Sequence, residues 1–112
     1  MSDLTLGDGE VRVRSFRANR CAGNRVTGGS LHLTDQRLVF CPRRMDAAIG
    51  GRGWETSRAA VSSVDIAPRG LTPFAGCLRK RLRIATAKGT EYFVVRELDE
   101  VAGYLGAALA QS

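Results

Sequence analysis

The sequence predicts a mainly β domain of about seven short antiparallel strands, closed by one helix at the C-terminus. Three observations carry this expectation. Apolar residues recur at period two over most of the chain. Turn-forming residues separate the runs. The period changes to that of an amphipathic helix only after Leu98. A length of 112 residues suits one domain, expected to span 1–112. The composition, 44% hydrophobic and 25% charged, excludes wholesale disorder, collagen-like repeats and a disulfide scaffold.

The elements follow in order. Glu10 to Ala18 opens with Val11 and Val13 alternating against Arg12 and Arg14, the pattern of a half-buried strand. Arg20 to Arg25 is expected as a loop, with Gly23-Asn24 as its turn. Gly29 to Phe40 reads as a hairpin turning near Asp35-Gln36. Pairing Leu33 with Leu38 and Leu31 with Phe40 puts all four on one face, with His32 and Val39 on the other. Residues 42–53 form a long irregular segment rich in glycine. Trp54 to Thr56 and Val61 to Ala67 are two further short strands, and Pro68-Arg69-Gly70 and Thr72-Pro73 break the chain after them. Leu78 to Thr86 is the most regular strand, and a turn at Lys88-Gly89 returns it into Glu91 to Val95. That turn sets Ile84 against Phe93 and Leu82 against Val95. Leu98, Val101, Ala102, Leu105, Ala108 and Leu109 then form one helical stripe, with Glu97, Asp99 and Glu100 at the end where the helix dipole favours negative charge. Gly103 and Gly106 each cost about 1 kcal/mol relative to Ala, so docking must hold this helix.

The net charge is +6, and it is unevenly spread. Residues 11–52 hold nine arginines against Asp35 and Asp46, while both chain ends are acidic. A basic middle suits an anionic surface. Only Lys80 and Lys88 are lysines among seventeen basic residues, a bias that a GC-rich genome also produces. Cys21, Cys41 and Cys77 are expected as reduced thiols: no CxxC occurs, and with one His the chain has no tetrahedral Cys/His metal set. Neither a basic, apolar leader nor an apolar run of spanning length is present, so a cytoplasmic chain is expected, able to sit at the inner membrane surface.

No arrangement of catalytic type stands out. His32 lacks the context of a nucleophile or metal site and is expected as an outward strand residue. Gly50-Gly51-Arg52-Gly53 is not followed by the Gly-Lys-Ser/Thr and helix of a phosphate-binding loop, and Asp99 and Glu100 are explained by the helix start. No catalytic residue, metal or cofactor is expected. Arg79, Arg81 and Arg83 share one strand face, where they would form a charged sheet edge or contact phosphates.

Gly9-Glu10, Phe16-Arg17-Ala18-Asn19 and above all Gly28-Gly29-Ser30-Leu31-His32-Leu33-Thr34-Asp35-Gln36-Arg37-Leu38-Val39-Phe40 resemble a GRAM domain, and the likeness covers about residues 9–110. The resemblance implies the pleckstrin-homology-like fold, a bent barrel or sandwich with the helix closing one end. The alternation and the helical stripe together predict a core that includes Val11, Val13, Leu31, Leu33, Leu38, Phe40, Leu82, Ile84, Phe93, Val95, Leu98, Val101 and Leu105. The resemblance also implies a binding module for anionic lipid or for a protein partner, with nucleic acid a distant third because neither an RNP-type motif nor a helix-turn-helix is visible. In such a barrel the first and third loops open at one end. There Arg17, Arg20, Arg25, Arg43, Arg44 and Arg52 would form a cationic rim, with Met45 and Ile49 adding shallow apolar insertion. The second strand reads Leu31-His32-Leu33, without the Arg that the usual inositol-phosphate pocket of the wider fold needs.

Overall fold

The computed structural model describes residues 6–22, 25–43, 53–68 and 80–110. These form strands β1 (Arg12–Ala22), β2 (Arg25–Thr34), β3 (Arg37–Pro42), β4 (Trp54–Ser57), β5 (Val61–Ala67), β6 (Arg81–Thr86) and β7 (Gly89–Val95), then helix α1 (Leu98–Leu109). All seven strands lie in one antiparallel sheet, in the order β4-β3-β2-β1-β7-β6-β5. A short 3-10 turn, Arg58–Ala60, links the two outer strands β4 and β5.

The β2–β3 hairpin has the expected register, Leu31 opposite Phe40 and Leu33 opposite Leu38. Its turn is organised by Thr34, whose hydroxyl accepts the backbone N–H groups of Gln36 and Arg37 at 3.1 and 2.9 Å. The β6–β7 hairpin departs from expectation. Its loop residues are Ala87 and Lys88, so Leu82 faces Phe93 and Ile84 faces Glu91. Thr86 closes this turn by accepting the Lys88 N–H, and Gly89 follows with φ at 137°, a backbone that favours glycine. The register slips by two residues. A slip of two keeps every side chain on its face, which is why the apolar set stays buried.

Strand β1 holds the larger correction. It continues to Ala22 through residues expected as a loop, with Arg20 opposite Thr27 and Cys21 opposite Val26. Near its start, Arg12 faces Thr34 but Arg14 faces Leu33, so Val13 is the extra residue of a bulge. The bulge resets the alternation. Val11 and Val13 are 61% and 49% exposed rather than in the core, while Phe16 and Ala18 turn inward. Arg14, now on the inward side, lays its guanidinium over the rings of Phe16 and Tyr104 at 5.1 and 4.5 Å.

The core gathers Leu31, Leu33, Leu38, Phe40, Leu82, Ile84, Phe93 and Val95 from the sheet and Val101, Leu105 and Leu109 from α1, with Leu98 half-buried at its margin. The helix packs chiefly on β5. Arg58 ties it down, donating to the carbonyl oxygens of Thr34 at 3.0 Å and Ala108 at 2.7 Å, a cation at the end where helix carbonyls lack partners. His32 and Val39 share the outer face as expected, yet both are buried. His32 Nδ1 and Ser15 Oγ lie 2.7 Å apart as directly opposed strand residues, so this ring nitrogen finds its hydrogen-bond partner across the ladder.

Glu10 is the hub of a network that composition does not suggest. Its buried carboxylate accepts bonds from the Gly7 N–H, the Thr34 hydroxyl and the Arg37 guanidinium, which bridges onward to Glu55. Hydrogen bonding from Arg37, then from Thr34 and the Gly7 backbone, holds the Glu10 carboxyl well below its usual value of 4.5, to about 2. A carboxyl depressed in the folded state stabilises the fold above the unfolded value, and that stabilisation is lost as pH falls toward the folded value. Thermal melts of the wild type should therefore decline between pH 4.5 and about 2. Glu10→Gln should melt lower at neutral pH and decline less over that window. Parallel curves for the two proteins would show that this carboxylate does not couple to folding.

Candidate functional site

Three arginines converge on the outer face of β1, β3 and β7. Arg17 projects from β1 opposite Ser30 and is exposed. Arg43 follows β3, its backbone N–H donating to the Gly28 carbonyl at 2.8 Å. Arg96 follows β7, and continuing the register of Ala18 opposite Val95 by one residue sets it against Arg17. Gly28 of β2 makes this convergence possible. A β-carbon built there would collide with Nη2 of Arg43 and lie 2.9 Å from its Nε, so the missing side chain leaves the path by which that guanidinium crosses the strand.

Together with Ala18, Asn19, Val94 and Val95, these arginines line a depression of about 170 Å³. Among the described residues, its lining contains no carboxylate. Like charges set side by side across two strands are unfavourable unless something of opposite charge joins them. Arg96 also borders a wider depression of about 510 Å³, shared with Lys80 and Glu97. The protonated Glu97 carboxyl donates a hydrogen bond to Glu100, and this bond together with the negative charge of Glu100 holds Glu97 above its ordinary range. Chemically, the surface offers planar N–H forks and positive charge, the equipment for a phosphate or carboxylate group.

Of the six arginines expected at the rim, the structure brings Arg17 and Arg43 together and adds Arg96 and Lys80, which no sequence signal singled out. Arg96 lies in the acidic C-terminal stretch, and only the β1–β7 pairing places it beside Arg17. Arg20 is separated from this group. It lies on the inward side of β1, and its Nε donates to Glu91 Oε1 at 2.9 Å. Arg44 and Arg52 lie outside the described residues with Met45, Ile49, Cys77 and Arg79, as does the side chain of Arg25. The expected charged edge at Arg81 and Arg83 is corrected: β6 is an inner strand between β7 and β5. Arg83 forms a two-bond pair with Asp65 of β5, which lowers the Asp65 carboxyl, and Arg81 lies 4.8 Å over the Tyr92 ring.

No family model matches the chain, and no curated protein matches it. Solved structures do. The C-terminal domain of an unknown protein from Leishmania infantum superposes with a TM-score of 0.68 at 16% identity, over 92% of this chain and 87% of that one. The N-terminal PH domain of Vps36 superposes with a TM-score of 0.64 at 17% identity, over 96% of this chain and 84% of that one. The fold is pleckstrin-homology-like. At these identities the likeness concerns architecture: seven antiparallel strands and a C-terminal helix, as the strand periods imply. Within this pleckstrin-homology-like frame the arginine depression lies at the β1–β7 pairing, beside Ala18 and Val95 of the core. Among the described residues, no helix is long and apolar enough to cross a membrane.

Proposed function

We propose that this domain is a non-enzymatic binding module of the GRAM type that associates peripherally with anionic membrane surfaces through Arg17, Arg43, Arg96 and Lys80. The observation that supports the reading best is the convergence of Arg17, Arg43 and Arg96 on one depression. Each Lys or Arg near an anionic bilayer contributes about 1 kcal/mol, so four such groups suffice for reversible attachment. Arg25, Arg44 and Arg52, in the same basic middle of the chain, would add to the same field.

A second reading, a protein-interaction module, is favoured by a different observation. Leu6, Val11 and Val13 are large apolar side chains left 43%, 61% and 49% exposed near the start of β1. Flotation separates the two. The lipid reading expects the protein to float with phosphatidylcholine vesicles containing anionic lipid, and to release as salt rises, because exposed charges are screened over about 8–10 Å. Failure to float on any anionic vesicle, even at low salt, would favour the protein-interaction reading.

A further inference from the structure

We infer that Glu97 and Glu100 form a proton-gated brake on the basic surface, so that the domain holds an anionic membrane more tightly as pH falls. The inference rests on the membrane reading and adds its regulation. Placement carries it. Arg17 and Arg96, which border the arginine depression, also line a neighbouring one of about 210 Å³ together with Arg14, Glu97 and Glu100. There Arg14 Nη2 lies 3.8 Å from Glu100 Oε1. Three guanidinium groups and two carboxyls thus share one exposed hollow.

The backbone delivers Glu97 to this place. It caps the start of α1 with φ and ψ both at 51°, a left-handed conformation that a residue with a β-carbon seldom adopts. Its side chain makes no capping bond to the helix and meets Glu100, three residues further on, instead. Two carboxyls that share a hydrogen bond hold one proton between them, and their repulsion raises the pH at which that proton is taken up. Arg14 of β1 and Arg96 act in the opposite sense, favouring the ionised form, and do not cancel the rise. Among the described residues, Arg17, Lys80 and Asp99 are the other charged groups around the pair.

With both carboxyls ionised, they neutralise two of the three guanidinium charges in the hollow. With one proton between them, they neutralise one. An anionic surface therefore binds the protonated form better, and by linkage its binding draws the proton on. A bilayer surface potential of about −30 mV also concentrates protons roughly threefold, which acts in the same direction.

Flotation on phosphatidylcholine vesicles containing phosphatidylglycerol, whose phosphodiester keeps its charge, tests this at low salt. From neutral pH to about pH 5 the wild type should bind about fivefold more tightly, the effect of one charge at the bilayer. Glu97→Gln, a neutral isostere at an exposed position, should bind at neutral pH as the wild type does at the lower pH, and should rise no further. Asp99→Asn removes the same charge from the same turn but outside the hollows that Glu97 borders, so it should keep the rise. In the free protein, the side-chain carboxyl carbon of Glu97 should titrate above 4.5 by NMR. A carboxyl titrating at or below 4.5, binding that ignores pH, or a rise retained in Glu97→Gln would each overturn the brake and leave the membrane reading standing. No flotation of the wild type at either pH would overturn the membrane reading and the regulation with it.

Discussion

Truncating Phe93 or Phe40 to alanine is expected to lower the unfolding free energy by about 3–5 kcal/mol each, measured by chemical denaturation. Phe93 has no exposed surface and Phe40 about 1%. The Phe93 ring lies 5.6 Å from that of Phe40 and 5.7 Å from that of Trp54, both tilted rather than stacked. Removing either ring therefore leaves a cavity bounded by aromatics held on separate strands, which cannot all move in to fill it. Because the two phenylalanines touch, the double variant should cost less than the sum of the singles. Trp54, the only tryptophan, reports on the same cluster by fluorescence. A cost below about 1 kcal/mol for both single variants would mean that β3 and β7 do not meet here, and the registers of both hairpins would be wrong.

How much of this was legible in the sequence depended on how local the deciding interaction is. The β2–β3 hairpin could be read to the residue because its turn is built by Thr34, which sits inside it. The β6–β7 hairpin was legible in its faces but not its register, since Lys88-Gly89 and Ala87-Lys88 are both acceptable turns and differ by a slip that leaves burial unchanged. β1 carries its irregularity in the parity of its apolar residues. Valines at odd positions 11 and 13 followed by Phe16 and Ala18 at even ones cannot share a face in regular alternation, and past the bulge at Val13 it is Phe16 and Ala18 that face inward while both valines stay exposed.

The site was less legible than the fold. Arg20 looks like its neighbours until Glu91, 71 residues away, arrives as its partner. Arg96 looks like part of an acidic stretch until β7 pairs with β1. Glu10 looks like one of several N-terminal acids until Thr34 and Arg37 close around it. In each case the missing information was a long-range pairing, which composition and period do not carry.

Reversing the charges of Arg17 and Arg96 together should reduce partitioning onto anionic vesicles by roughly a hundredfold or more, at about 1 kcal/mol per charge over four charge units. The informative comparison is Arg12→Glu with Lys88→Glu. Both pairs lower the net charge from +6 by the same four units, so any loss from overall attraction is common to both. Their positions differ. Arg12 lies opposite Thr34 at the start of β1, and Lys88 sits in the β6–β7 turn beside Gln36, so neither borders the arginine depression. Arg17 and Arg96 line it together, and two glutamates there would set like charges against a phosphate at contact distance. The gap between the two double variants should narrow as salt rises, though less than the common loss, because charges that touch the ligand are screened less than distant ones. All four side chains are exposed, so thermal melts of both variants should stay near that of the wild type. Equal losses would reduce the site to one part of a diffuse basic field. A much larger loss for the Arg17 and Arg96 pair would locate the membrane contact at the outer face of β1 and β7.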